Sequence, residues 1–501
     1  MSWRRWHLEE TEMRCFLCLL AFLSVISEDV VSREINSKDL QETLVGKLTV
    51  PLNTGNCLAQ MGQSVVDDKV FNATLCIHTP GVTDTKEYWE NYSPNPFFST
   101  NKAEDLLDQF DEAELKARYK GEAYNVEKSV GLFRINFRGL GILASFPYGE
   151  EEEDKRTRLL FWVPELGIAE EFEGATREES LEELRNYLKR GDKASEILTK
   201  LSEISPIAPD VDLIKEMATS AFDVQSLTVA TKKLNITYEN RTIDMKNRAD
   251  PLRDFFNQMG VTGKGVSEEG EIDLQYLSVP LSKSIKLDEG QELIPRLVFG
   301  YTNIGGAGDY RLMGGTGYRR LVNEQHKWFL TPSIDFGLEG SKDLASVTQI
   351  LSVSLTSEAL LWGNPESDSW TVSMGNMLGY YKSLSLFEYQ GYDLEIERNN
   401  AILRNGLLFS KPLGIRLLNR ELAADIHLID MRRVSGTPMY EDQYNKIGFS
   451  IGFRKQSKVS AFFEGEENQL ANVPQSMMRF SVEYFHSDVS DGWSLSGSYT
   501  W

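Results

Sequence analysis

Trp328-Phe329-Leu330-Thr331-Pro332-Ser333-Ile334-Asp335-Phe336-Gly337-Leu338 is the stretch on which the fold turns. Trp328, Leu330, Pro332, Ile334, Phe336 and Leu338 alternate there with Phe329, Thr331, Ser333, Asp335 and Gly337. A period of two belongs to a β-strand, whose successive side chains point to opposite faces. One face suits hydrocarbon and the other suits water.

The same texture recurs to the end of the chain. Trp370, Val372, Met374, Leu378 and Tyr380 oppose Thr371, Ser373, Gly375 and Gly379, and Ile447, Phe449, Ile451 and Phe453 oppose Lys446, Gly448, Ser450, Gly452 and Arg454. Met478, Phe480, Val482 and Tyr484 face away from Arg479, Ser481 and Glu483, and Trp493, Leu495, Tyr499 and Trp501 from Ser494, Ser496, Ser498 and Thr500. Twelve such segments are predicted, near 271–280, 293–303, 309–323, 327–339, 345–362, 369–384, 392–411, 420–434, 444–455, 458–465, 477–487 and 491–501. In lipid every backbone N–H and C=O has to pair internally, so a sheet spans a membrane only when it closes on itself. Residues 269–501 are therefore expected to form an antiparallel transmembrane β-barrel of about 12 strands, as an even-stranded outer-membrane barrel does. Trp328, Trp362, Trp370, Tyr380, Trp493 and Trp501 lie toward segment ends, where aromatic girdles sit. Asp335, Arg454, Arg479 and Glu483 fall on the polar face as lumenal candidates. A water-soluble β-sandwich shows the same alternation and is the competing reading. The number of strands with large apolar residues on one face only favours the barrel.

Upstream the chain is expected to be mainly β and then briefly helical. Residues 28–176 read as a small exported β-rich domain: Phe133, Ile135 and Phe137 alternate with Arg134, Asn136 and Arg138, and Leu159, Phe161 and Val163 mark a second strand. The acidic run Glu150–Asp154 between them reads as a solvated hairpin tip. Residues 177–268 read as a helical section and linker. Thr176 with Glu179 fits a capping box, and Leu181, Leu184 and Leu188 follow at helical spacing. Ile197, Leu198, Leu201 and Ile204 repeat the pattern, Ile214, Met217 and Ala218 suggest a third helix, and a further one is expected from Pro251 to Gln258.

Residues 1–27 read as a signal peptide, with Arg14 before the apolar run Phe16–Ile26, and Met13 is a candidate true start. Cys15 and Cys18 would leave with it. Cys57 and Cys76 then remain as the pair expected to form one disulfide, with two free buried thiols as the alternative in a reducing compartment. The chain carries 53 Lys and Arg against 75 Asp and Glu, a formal charge of −22. That is the wrong sign for tracking a phosphate backbone, so nucleic acid is excluded as a partner class.

Three segments, Lys327–Ser333, Leu351–Ser357 and Thr371–Tyr381, resemble the autotransporter-type β-barrel of Gram-negative bacteria, in particular solitary barrels that lack a long passenger. Tyr499 and terminal Trp501 resemble the outer-membrane assembly signal, although Ser496 stands where its glycine usually does, with Gly497 next. The resemblance implies a single, monomeric translocator-like barrel in the outer-membrane lipid, inserted by the barrel assembly machinery. In that family a helix running through the pore links barrel to passenger. The resemblance therefore implies residues 240–259 as linker or plug, with Arg248, Arg253 and Asp254 facing the lumenal charges. A periplasmic helix that never enters the barrel remains the alternative.

Enzyme motifs fail on context. Gly448-Phe449-Ser450-Ile451-Gly452 has the lettering of a hydrolase nucleophile elbow but sits inside an alternating strand, where the required strand-to-helix turn has no place. His427, His486 and Ser487 are candidates for an outer-membrane lipid hydrolase without a surrounding motif, and His78 and His326 are isolated. The glycine run Gly305–Gly317 completes no phosphate-binding pattern, and no cofactor or metal is expected. The leading expectation is a non-enzymatic barrel that serves translocation or surface display. A small-solute channel and a lipid hydrolase follow it.

Overall fold

The computed structural model describes residues 69–79, 97–102, 105–106, 109, 112–119, 125, 128–138, 140–146, 157–189, 193–205, 207–222, 232–244, 252, 271–323, 327–344, 346–363, 369–384, 396–417, 420–453 and 477–500. Everything described lies in one compact unit, Ser37–Trp501.

The alternating Phe133–Phe137 segment becomes β3 of a six-stranded antiparallel sheet in the order β2-β1-β3-β4-β5-β6. Its strands are β1 (Phe71–His78), β2 (Phe97–Thr100), β3 (Val130–Phe137), β4 (Leu140–Phe146), β5 (Thr157–Val163) and β6 (Ile168–Gly174). β4 pairs with β5, so the acidic run does lie between two paired strands, although residues 147–156 are outside the described set. Helix α1 (Glu112–Arg118) precedes β3, and α2 (Arg177–Lys189) packs on β5 and β6. The Thr176 hydroxyl accepts from Glu179 N at 3.2 Å and the Glu179 carboxylate accepts from Ala175 N at 2.7 Å, so both residues of the capping pattern work at the start of α2. α3 (Lys193–Ile204) and α4 (Pro209–Ala221) follow.

The second sheet is the barrel. Its twelve spanning strands are β7 (Lys232–Asp244), β8 (Glu271–Lys283), β10 (Gln291–Ile304), β11 (Ala307–Asn323), β12 (Trp328–Ser341), β13 (Ser346–Trp362), β14 (Thr371–Ser383), β15 (Asn399–Leu417), β16 (Arg420–Gly436), β17 (Gln443–Phe453), β18 (Met477–His486) and β19 (Ser490–Thr500). The short β9 (Ile285–Asp288) only lengthens β10 at one mouth. β7 pairs with both β8 and β19, which closes the ring and leaves no edge. The two-residue turn Gly305-Gly306 joins β10 to β11 with φ of 55° and 101°, left-handed values that glycine adopts without a Cβ clash.

Burial on the barrel is inverted relative to a soluble protein. Phe299, Leu312, Ile334, Leu378, Ile447, Phe480 and Leu495 are exposed on the outer wall, whereas Arg311, Asp335, Glu339, Asp425, His427 and Ser450 are buried inside. Exposed Trp328, Trp362 and Trp370 mark one mouth, and Tyr301, Tyr310, Tyr484 and Trp493 lie toward the other, as two interfacial girdles around an apolar belt. So large a continuous apolar surface has no stable place in water. The competing sandwich is thereby excluded, because that architecture hides its apolar face between two sheets. Among the described residues no helix is long and apolar enough to cross a membrane, which leaves crossing by strands untouched.

Strand ends define two mouths. Lys232 and Thr500, the first and last barrel residues described, lie at the mouth that also carries the β11–β12 and β13–β14 hairpins. At the opposite mouth Ile243, Leu274, Ile304, Ala307, Leu344 and Ile396 join one apolar cluster with Phe71, Leu75, Phe133 and Phe161 of the six-stranded sheet and Leu198 and Leu201 of α3. The small sheet therefore sits on the mouth opposite the strand termini.

Two sequence expectations change. The barrel begins at Lys232 rather than at residue 269: Leu234, Ile236 and Tyr238 alternate with Asn235, Thr237 and Glu239, but the strand is short of apolar residues and lies among polar ones. Residues 240–244, placed at the head of a linker or plug, belong to that strand. The expected strand at 458–465 and the helix at 251–258, apart from Leu252, lie outside the described residues, as do Arg248, Arg253, Asp254, Arg454, Trp501, Cys57 and the leader. Cys76 is buried in β1 and is disulfide-bonded.

Candidate functional site in the barrel lumen

The lumen holds a helix, α4, which enters from the mouth carrying the small sheet. Pro209 occupies its first turn, where the missing N–H costs nothing, and Asp210 and Asp212 place negative charge at the positive end of the helix dipole. Leu213, Ile214, Met217, Ala218 and Asp210 are fully buried, and Lys215 and Glu216 nearly so. A helix buried on its apolar and its charged sides alike is surrounded by protein. Its apolar side meets β11, β12 and β13 and shares a cluster with Met313, Ile350, Met377 and Tyr381 of the wall.

Two glycines on the wall make this approach possible. A Cβ at Gly337 would stand 2.9 Å from Leu213 Cδ1, and one at Gly375 would stand 2.2 Å from the ring of Phe222, just past the end of α4. A side chain at either site would force Leu213 and Met217, or the Phe222 ring, to shift.

The charged side of α4 is matched along its length. Asp210 pairs with Arg398, which also binds Ser202 and donates to Pro438 O at 2.7 Å. Asp212 lies 3.5 Å from Arg241, and Lys215 pairs with Glu441. Ser278 donates to Glu216 at 2.7 Å. Arg404 donates to the Thr219 hydroxyl at 3.0 Å and to the Tyr444 hydroxyl at 2.8 Å. At the far end Arg296 donates to Ser220 O and Ala221 O, both at 3.3 Å, and so satisfies carbonyls that a helix terminus leaves without partners. Asp335 holds Arg296 in that position through two 2.8 Å contacts. In the loop between β16 and β17, burial would raise the Glu441 carboxyl, but Lys215 and Arg241 outweigh it and hold its pKa at about 2.

Beyond the helix the wall is laced by further pairs. Arg479 contacts Asp425 at 2.9 Å, and Lys446 contacts Glu239 at 2.9 Å. Glu483 accepts from Ser494 at 3.1 Å and meets His427 Nε2 at 3.0 Å. A cavity of about 200 Å³ remains between α4 and the wall of β7, β8 and β10, and about 20 Å³ remains beside Ser205 and Glu441 at the sheet-bearing mouth.

The sequence candidates distribute unevenly over this arrangement. Asp335, Arg479 and Glu483 point into the lumen, and Asp335 alone of the three reaches the helix, through Arg296. Tyr499 is on the outer face of β19. The residues that hold α4, namely Arg241, Arg296, Arg398, Arg404 and Glu441, escaped sequence reading, because each acts on a partner far away in the chain. The hydrolase candidates do not converge. His427 is inside the lumen on a carboxylate, His486 is exposed at a mouth and meets Asp491 at 2.6 Å, and Ser487 binds Ser490 within a turn. The Gly448–Gly452 lettering lies within β17, with no turn into a helix.

No family model matches this chain, and no curated protein matches its sequence. Among solved structures the chain is similar to the β domain of the Bordetella autotransporter BrkA, at 13% identity over 54% of this chain and 99% of that one, with a TM-score of 0.34. It is similar to the translocator domain of the autotransporter NalP from Neisseria meningitidis, at 12% identity over 60% and 98%, with a TM-score of 0.37. It is also similar to the transport unit of the autotransporter AIDA-I from Escherichia coli, at 10% identity over 58% and 98%, with a TM-score of 0.34. Likenesses this distant carry none of those proteins' functions across. What stands on the structure alone is a closed twelve-stranded antiparallel barrel with an apolar outer wall and a lumenal helix that precedes its first strand.

Proposed function

We propose that this chain is a non-enzymatic outer-membrane translocator-like barrel that carries its small β-rich domain on the cell surface. One observation carries the reading: the chain passes through the barrel. The sheet and α3 sit at one mouth, α4 runs into the lumen, and the next described residue after Phe222 is Lys232 at the opposite mouth. A barrel inserted from the periplasm with an even number of strands keeps both of its chain ends on that side. The sheet-bearing mouth then faces outward. The small domain would have crossed through the lumen, with α4 as the segment left behind. The Cys57–Cys76 disulfide proposed for this domain fits an oxidising compartment.

The test is labelling of intact cells with a membrane-impermeant thiol reagent. Cysteine at Glu183 on exposed α2 is expected to react on intact cells, and cysteine at Lys286 on exposed β9 only after permeabilisation. The reverse pattern would invert the barrel and place the domain in the periplasm, and protection of both sites would contradict a surface-exposed mouth altogether.

A further inference from the structure

Among the described residues the apolar belt is interrupted on β13–β17 by a line of polar side chains; the outward amides Asn303, Gln275 and Asn240 lie closer to the sheet-bearing mouth. On β12 the outward residues between the mouths are Leu330, Pro332, Ile334, Phe336 and Leu338, and on β18 they are Met478, Phe480, Val482 and Tyr484. On β14 the outward series Val372, Met374, Asn376, Leu378, Tyr380 has an amide at its middle. On β15 the series Ala401, Leu403, Asn405, Leu407, Phe409 has another. Asp430 faces outward on β16 between Leu428 and Arg432.

These residues are in register with one another. Ser357 pairs with Asn376, Asn376 with Asn405, Asn405 with Asp430, and Asp430 with Asn445. A row perpendicular to tilted strands climbs the wall, by roughly 3 Å per strand for the usual spacing near 4.8 Å and tilt near 40°. Accordingly Ser357 lies near the mouth marked by Trp362, and Asn445 is close to the other mouth, at the start of β17. Over its four steps the row climbs about 12 Å, roughly half the height of the apolar belt, with Asn405 at its centre. Asn405 Nδ2 donates to Asp430 at 3.3 Å, and Asp430 takes Arg432 Nε at 2.8 Å.

Polar groups aimed at lipid are unfavourable, and in membranes such side chains hydrogen-bond between spans. We propose that this row is a homodimer interface, with a second copy of the barrel docked on the β14–β16 wall. An asparagine amide carries both donors and an acceptor, so it is its own complement. A two-fold interface brings the same patch of each subunit together. Two rows of equal tilt placed face to face about an axis along the membrane normal cross at a single height. Asn405 therefore meets Asn405 of the second copy, with Asn376 and Asp430 on either side. The flanking Leu403, Leu407, Leu378 and Leu428 supply apolar contact around the amides. The single-barrel expectation from sequence gives way in this proposal.

The proposal rests on the membrane reading, and the experiment separates the two. Purified full-length chain is reconstituted in phospholipid vesicles, flotation reports insertion, and energy transfer between donor- and acceptor-labelled copies is followed as lipid dilutes the protein. The expected result is insertion with a dimer that dissociates on dilution. Asn376→Leu with Asn405→Leu should weaken it about tenfold or more without loss of insertion, since leucine is at home in lipid. Oxidation of Asn405→Cys should give a covalent dimer, and Ile334→Cys on β12 should not. Failure to float would defeat the membrane reading. Insertion with no transfer at any dilution, transfer unchanged in the double variant, or cross-linking in cells only to a different protein would each overturn the homodimer.

Discussion

The inner and outer walls of the barrel are built from the same strands and obey opposite rules. On the outer wall Ile334, Phe336 and Leu378 gain stability one by one from lipid, and the identity of the neighbour matters little. Inside, Asp335 and Arg296 on the wall, and Arg398 and Glu441 at its mouth, are stable only in pairs, because an isolated charge in that setting is unsatisfied. One wall is a property of composition, and the other is a property of connectivity.

The sharpest way to break this contrast is to orphan one inner charge. Asp335→Ala leaves Arg296 buried and loosens its hold on the end of α4. A loss of about 3–5 kcal/mol is expected in urea unfolding of the vesicle-folded barrel. A change below 1 kcal/mol would mean that water already screens the pair.

An inner pair can also be broken by acid. The Glu441 pKa is depressed in the folded chain, so its contribution is fully present above the ordinary carboxylate value and is lost as pH falls toward about 2. The unfolding midpoint should hold steady down to about pH 5 and then fall, by roughly 3 kcal/mol in total from this group. Glu441→Gln should remove that part of the slope.

On the outer wall the expected penalty depends on depth instead of on a partner. Leu378→Arg, near the middle of β14, should cost about 2–4 kcal/mol by the same unfolding assay. Substitution of Trp370 by Arg at the girdle should cost nearly nothing by comparison. Equal effects at the two depths would argue against a bilayer belt. The smallest effect belongs to neither wall: Thr176→Ala removes the hydroxyl that caps α2 and should cost about 1 kcal/mol, read as faster hydrogen exchange in that helix alone.

The same contrast explains what the sequence discloses. The outer wall is legible because alternation such as Ile447, Phe449 and Ile451 is local, and β12, β14 and β17 follow it closely. β7 is illegible by that signal, since Asn235, Asn240, Arg241 and Thr242 dilute the pattern and only closure against β19 makes it a strand. Ile214, Met217 and Ala218 announce a helix, yet nothing local says that it lies inside a barrel. The hint available was its charge: Asp210, Asp212, Lys215 and Glu216 accompany an apolar stripe in a helix that has no exposed face to put them on. Their partners are unreadable, because Lys215 and Glu441 are 226 residues apart. Of the stretch expected as linker or plug, Asn240 to Asp244 belong to β7 and the rest, apart from Leu252, lies outside the described residues; the lumenal helix that is described is α4. Because residues 240–244 are part of a barrel strand, the lumenal segment to delete is α4.

The measurement that tests the central claim most directly is planar-bilayer conductance of the full chain against a variant lacking residues 209–221. With α4 filling the lumen, the full chain should be closed or nearly so, and the deletion should open a steady pore. Equal conductance of the two proteins, with both inserted, would contradict the account.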